Sequence, residues 1–311
     1  MSPRVLVLGA AGRFGYRAAE AFRGAGWEVT SLVRPGGSTR APAGTKVVEV
    51  HALDHAAVTE AARGADVVLH ALNPSPLDWS RQALPLAYSA ITAAETARAT
   101  LLFPGNLYNY GSLLPPVIDA STPMRPSSRK GQLRVATEDR MAEATERGMR
   151  AIVLRAGDFF GSGHGSWLDL VLAKEMRRGQ LTYPGPLDVT HEWAYLPDLA
   201  SALVRLAAVR ETLPPFDTFG FPGHAVTGHE FTTAIARAMR SKFQVRRMTW
   251  WLIHAMRPIV PLCRELSEIA YLWSEPHRID GGKLAAAIGN VPHTPLDVAV
   301  ARALQDLGAT A

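Results

Sequence analysis

Cysteine is nearly missing from this chain: Cys263 is the only one among 311 residues. A single thiol excludes an internal disulfide and any multi-cysteine metal site, and this one lies in an apolar stretch with no nucleophile context. The histidines have no partners at ligand spacing, so no metal is expected. The opening MSPRVLVLGAAG lacks a cationic segment ahead of a longer apolar run. No secretory leader is therefore expected, and a cytoplasmic location is the default. An integral membrane span is not expected either. The conspicuously apolar Met248–Trp273 is interrupted by Arg257, Pro258, Pro261, Arg264 and Glu265. It reads as two amphipathic helices lining a substrate pocket, with an interfacial membrane contact as the other reading. Internal repeats and low-complexity tracts are absent. The net charge of +5 is scattered, and Arg177–Arg178 and Lys242–Arg247 read as solvated faces. Without a basic stripe interleaved with aromatics, nucleic acid is not an expected partner.

What is present is an ordinary globular composition, 47% hydrophobic and 20% charged, long enough for one large core or two modest ones. Its organising stretch is Val5–Gly15, VLVLGAAGRFG. A short, continuous, β-branched apolar run suits a strand buried on both faces. Glycines at Gly9, Gly12 and Gly15 then allow a sharp turn and a close backbone approach. The helix expected next points unpaired N–H groups at whatever lies on the turn, an arrangement suited to a pyrophosphate. The spacing is a variant of the dinucleotide fingerprint.

Strand-like and helix-like stretches then alternate. Strands are expected at Trp27–Arg34, Thr45–Ala52, Ala65–Leu72, Thr100–Phe103 and Met149–Ala156, with helices at Asp54–Arg63, Ser80–Arg98 and Ser127–Arg147. This alternation argues for an α/β fold with a doubly wound, Rossmann-type parallel sheet, whose ligands sit beyond the carboxyl ends of the strands. Further on, Gly161–Ser166 reads as a loop and Tyr183–Pro186 as a turn, and Trp193–Leu196 and Phe216–Phe221 read as strands flanking the helix Pro197–Val209. Thr227–Glu230 has the spacing of a capping box, and Thr294–Asp297 opens another helix.

Five landmarks in order resemble the extended short-chain dehydrogenase/reductase superfamily, of the NAD-dependent epimerase/dehydratase type. They are the glycine turn Gly9–Gly15, the strand entered at Gly64–Asp66, Gly105–Gly111 ending in Tyr-Gly, Val153–Arg155 with Phe160–Gly161, and Tyr195–Asp198. The resemblance covers nearly the whole chain. It implies a nucleotide-binding domain (1–160 with 190–216) and a smaller C-terminal α/β substrate domain (161–189 with 217–311). It also implies a small-molecule substrate, with a homodimer possible through helices of the nucleotide domain.

On this resemblance the cofactor is held by Gly9, Gly12, Arg13, Phe14, Gly15, Arg34, His51, Leu72 and Asn73. An acidic residue ending the second strand would choose NAD; Arg34 stands there instead, with Arg13 able to assist, so NADP is preferred and NAD remains possible. His51 takes the place of the family's adenine-contacting aspartate. The catalytic pattern departs further. Asn106 stands where a serine or threonine is usual, and Lys130 and Arg134 occupy the places of the tyrosine and lysine, in a register anchored on Glu138. The expectation is that Lys130 donates the proton, tuned by Arg134. Asn106 polarises an oxygen, and Tyr108 supplies an auxiliary phenol. At the substrate positions, Asp158 replaces an asparagine and His191 a diphosphate-clamping arginine, which argues against a sugar nucleotide. The leading expectation is an NAD(P)-dependent oxidoreductase acting on a small, apolar carbonyl or conjugated compound. A non-catalytic cofactor-binding sensor and an epimerase or dehydratase with tightly held NAD are the alternatives.

Overall fold

In the computed structural model, which describes residues 2–309, the opening apolar run is strand β1 (Arg4–Leu8), and four of its five residues are buried. Helix α1 (Arg13–Gly24) follows at once, then β2 (Glu28–Val33) and β3 (Lys46–Glu49). Helix α2 (His55–Ala61) leads to β4 (Val67–His70), and α3 (Trp79–Ala97) to β5 (Thr100–Gly105). The short β6 (Val117–Ile118) precedes α4 (Arg129–Thr145), β7 (Arg150–Arg155) and β8 (Asp158–Phe160). The remaining strands are β9 (Gln180–Tyr183), β10 (Thr190–Tyr195), β11 (Phe216–Gly220), β12 (His224–Thr227), β13 (Gln244–Arg247) and β14 (Arg278–Ile279). Between and after them lie α5 (Leu196–Val209), α6 (Gly228–Ala238), α7 (Trp250–Met256), α8 (Pro261–Ser267), α9 (Gly282–Ile288) and α10 (Leu296–Asp306).

Seven strands form one parallel sheet in the order β11-β7-β5-β4-β1-β2-β3. A parallel sheet needs both faces covered, and its central strands β1, β4 and β5 are accordingly almost wholly buried, whereas the edge strand β3 is largely exposed. One face packs on α1, α5 and α9 through Phe22, Leu199, Leu203 and Leu284. The other packs on α2, α3 and α4 through Val58, Ile91 and Met141. The chain builds outward from β1 to β3, then crosses back to β4 on the other side. That reversal opens a crevice at the carboxyl ends of β1 and β4, where ligands of such sheets bind.

A second core, centred on Trp193, Trp273, Phe160, Phe231 and Tyr183, lies among the smaller sheets β12-β10-β8 and β13-β9. Sheet membership cuts across the boundaries expected at 190 and 216. Strand β10 pairs with β8 and β12, whereas β11 completes the seven-stranded sheet. The capping box at Thr227 and Glu230 is formed. The strands missing from the sequence reading run from two to four residues, too short to show a period.

Of Met248–Trp273, the second half is the anchored part: Glu265, Ile269, Leu272 and Trp273 are buried, while α7 buries no residue at all. The expected pair of helices exists, with α7 exposed along its length. Among the described residues, no helix is long and apolar enough to cross a membrane, and no cluster of three or more potential ligands for a metal ion occurs.

Candidate active site

Gly9 turns the chain with φ of +85°, and its missing Cβ would lie 3.1 Å from the Ala71 carbonyl oxygen. Gly15 is more constrained: a Cβ there would stand 2.3 Å from the Gly9 carbonyl oxygen. The two glycines let α1 start directly above the end of β1. Gly12 is the N-cap of α1, with no side chain to cap it and no acidic residue in the first turn. The first N–H groups of the helix thus keep both their hydrogen-bonding capacity and the positive end of the dipole. Beside them is an open cleft of about 330 Å³ lined by Gly12, Arg13, Tyr16, Arg17, Ser162 and His164. Arg17 donates to Ser162 Oγ (3.1 Å) and to Asp306 of α10 (3.3 Å), and Asp306 accepts from the Ser162 N–H (3.0 Å).

The other expected cofactor residues fall around this turn. Phe14 is buried against Phe159, 6.2 Å between centroids. Leu72 reaches over Gly9, where its Cδ2 would meet a Cβ at 3.2 Å. Asn73 accepts from the Trp79 indole N–H at 2.9 Å, which fixes the chain after β4. Arg34 is exposed at the end of β2 and has no ion-pair partner among the described residues. Arg13 donates to the Gly161 carbonyl at 3.4 Å, so it faces the loop after β8 instead of assisting Arg34. His51 is exposed just beyond β3.

After β5, Asn106 caps a 3₁₀ turn, Leu107–Tyr110, its side-chain oxygen accepting from the Tyr108 N–H at 3.1 Å. That leaves the amide nitrogen of Asn106 as a donor without a partner among the described residues. Burial raises the Tyr108 phenol above its ordinary value; Asp158 adds to this and Arg134 opposes it. Tyr108 therefore holds its proton firmly and can offer its O–H as a hydrogen-bond donor.

Arg134 does not tune Lys130, as expected, but lies across the rings of Trp79 and Phe103, 5.0 Å from each centroid. Its Nε is buried without a hydrogen-bond partner, and burial lowers its guanidinium to about 10. On the far side of Phe103 the His70 ring stacks at 5.1 Å, held neutral, near 3, by burial and by Arg134. Lys130 points elsewhere. Its ammonium is paired with the Glu265 carboxylate, donates to the Glu265 carbonyl (3.1 Å), and approaches Glu268 at 3.8 Å. The expected free proton donor is thus committed to α8.

Asp158 and His191, expected to contact substrate separately, contact each other: Nε2 to Oδ2 is 2.9 Å. The His191 ring stacks on Trp273, 4.1 Å between centroids and 3° from parallel, and its Nδ1 lies 3.3 Å from the Leu272 carbonyl oxygen. A carbonyl only accepts, so Nδ1 carries the hydrogen in that contact.

A buried network holds these parts in register. Arg155 of β7 donates to Glu138 of α4 at 2.6 Å and to the Tyr110 hydroxyl at 2.9 Å, and Asn109 donates to Glu138 at 2.8 Å. Glu138 fixed the register in the sequence, but its partners 17 and 29 residues away carry no local signal. His70, Trp79 and Arg155 were missed for the same reason.

Residues 5–219 match the family described as NAD dependent epimerase/dehydratase. The chain belongs to the NAD-dependent epimerase/dehydratase family. No curated protein matches the chain in sequence. Solved members of similar fold include a UDP-glucose 4-epimerase from Brucella ovis in complex with NAD, 18% identical, covering 97% of each chain with a TM-score of 0.75. The enzyme WbmH of Bordetella bronchiseptica, in complex with NAD+, is 17% identical over 98% of each chain, with a TM-score of 0.77. A further UDP-glucose 4-epimerase is 14% identical over 99% of each chain, with a TM-score of 0.79. These identities carry the fold.

Proposed function

We propose that the chain binds a nicotinamide dinucleotide at the carboxyl ends of β1, β4 and β5 and acts as an oxidoreductase on a small carbonyl or conjugated compound. The carrying observation is the pairing of an uncapped α1 N-terminus above Gly9 with unpartnered donors at Asn106 and Arg134. The residues fit the cofactor: the first turn of α1 for the pyrophosphate, Leu72 and Asn73 along the crevice, and Arg134, whose buried Nε lacks a partner, for a hydroxyl oxygen. The nicotinamide, when bound, supplies the two-electron redox chemistry. Asn106 donates its amide N–H to the substrate oxygen and so stabilises charge developing there. Tyr108, kept protonated by burial, donates its O–H hydrogen bond to the same oxygen, which takes its proton from solvent. Lys130 is assigned a positioning part, holding α8 against α4. NADP is the preferred dinucleotide, because the Arg34 guanidinium is free to fork onto a 2′-phosphate.

Two features favour an apolar substrate over a sugar nucleotide. The Asp158 carboxyl group would face a diphosphate, and His191 is already engaged by Asp158 and Trp273. The capture of Lys130 by Glu265 also favours a second reading, a dinucleotide-binding regulator without turnover. Titration of the purified protein with NADPH and NADH, followed by quenching of tryptophan fluorescence, tests the first claim; binding of neither overturns it. Turnover of a panel of aldehydes, ketones and enones tests the second. Tyr108→Phe and Asn106→Ala are each expected to lower kcat at least tenfold. Full activity in both variants would remove these residues from the mechanism. Dinucleotide binding with no turnover of any compound would favour the regulator.

A further inference from the structure

We infer that the hairpin formed by α7 and α8 seats this protein on an anionic lipid surface. The helices pack on each other, and their outward side chains are large and apolar: Trp251 is 72% exposed and Ile259, in the connecting turn, 75%, with Leu252 and Leu262 also exposed. Scattered exposed apolar residues need no explanation, but four within one protruding hairpin form a patch. The charge along this stretch of sequence has one sign. From Phe231 to Arg264 the chain carries seven arginines and lysines and no aspartate or glutamate. Arg237 pairs with Asp297, and Arg264 approaches Glu265. Arg240, Lys242, Arg246, Arg247 and Arg257 have no acidic partner among the described residues.

Glu265 and Glu268, at the base of the hairpin, are both turned inward onto Lys130: the ammonium pairs with the first, and the backbone N–H donates to the second at 3.2 Å. The hairpin is thereby anchored at its root, while Trp251 and Ile259 remain exposed. An apolar wedge flanked by arginines matches an anionic bilayer, in which the indole and aliphatic side chains enter the headgroup boundary and the guanidinium groups meet phosphates. A protein partner of matching acidity is a different occupant; exposed indole and aliphatic side chains on the same hairpin as Arg257, which has no acidic partner among the described residues, favour lipid. Neither helix is long enough to span, so the contact is interfacial.

Co-sedimentation of the full chain with vesicles of phosphatidylcholine alone, and of phosphatidylcholine with phosphatidylglycerol, tests this. Binding is expected to the anionic vesicles only and to weaken as salt rises. Trp251→Ser with Ile259→Ser is expected to lower partitioning at least tenfold, and Arg257→Gln about fivefold. Both variants alter exposed side chains outside the proposed active site, and an unchanged melting temperature verifies the fold. No binding to anionic vesicles overturns the inference, as does binding that the variants leave intact. Light scattering supplies the other arm: a dimer that the same Trp251 and Ile259 variant dissociates, without vesicle binding, would assign this face to a second copy of the chain.

Discussion

The ammonium of Lys130, in the first turn of α4, meets the carboxylate of Glu265, 135 residues later in α8, with only 10% and 9% of the two side chains exposed. Removing one member of such a pair leaves the other charged and dehydrated. Lys130→Met is therefore expected to destabilise the fold by about 3–5 kcal/mol, and Lys130→Met with Glu265→Leu by much less. Denaturant unfolding measures both. With Glu265→Leu measured alone as well, a loss in the double variant equal to the sum of the two single losses would show that the pair is not coupled.

Gly15→Ala tests the turn directly. A Cβ 2.3 Å from the Gly9 carbonyl oxygen cannot be accommodated without moving α1 off β1. The expected cost is about 1–3 kcal/mol of stability, from overpacking, and a dinucleotide affinity lowered at least tenfold. Melting curves and fluorescence titration measure the two effects.

Arg34→Glu is expected to reverse dinucleotide preference. A charged hydrogen-bond pair is worth about 1.5–3 kcal/mol, so the NADPH-to-NADH affinity ratio should fall by at least tenfold. Arg13→Gln should leave the ratio unchanged, because Arg13 is directed at Gly161. Binding constants for both dinucleotides with both variants settle the assignment.

Glu192 links stability to pH. It is buried on β10 and accepts from the Gly223 and Ile279 N–H groups at 2.8 and 2.9 Å, and burial pushes its carboxyl group up to about 7 from 4.5. The folded state then binds a proton that the unfolded chain releases. Its contribution is fully present below pH 4.5 and is lost as pH rises through 7, by roughly 3 kcal/mol. His277 runs the other way: burial lowers it to about 3, so its contribution disappears as pH falls from 6.5. Glu192→Gln is expected to remove the fall in stability between pH 4.5 and 7 and leave the loss on acidification steeper. Parallel pH profiles for the variant and the natural chain would exclude this role.

The glycine turn and the long strands were legible in the sequence because their causes are local. Continuous β-branched runs such as Val67–His70 declare a strand buried on both faces, and glycine declares where a Cβ is forbidden. The residues at the carboxyl ends of the strands were equally findable, since position along a strand says where a ligand crevice lies. Their partners were not. Lys130 and Arg134 share one helix face by spacing, yet one turns to α8 and the other to the rings of Trp79 and Phe103. Asp158 and His191 become a pair only because β8 and β10 run side by side, with Asp158 in register with Trp193. Residue types at a site were readable; which atom each side chain binds was a property of tertiary packing.

The contact of Arg17 and Ser162 with Asp306 makes the first helix depend on a distant one. Asp306 of α10 lies 289 residues from Arg17, yet both border the cleft beside Gly12. Loosening α10 removes one wall of that cleft, so a disturbance far along the sequence is felt at the first turn of α1.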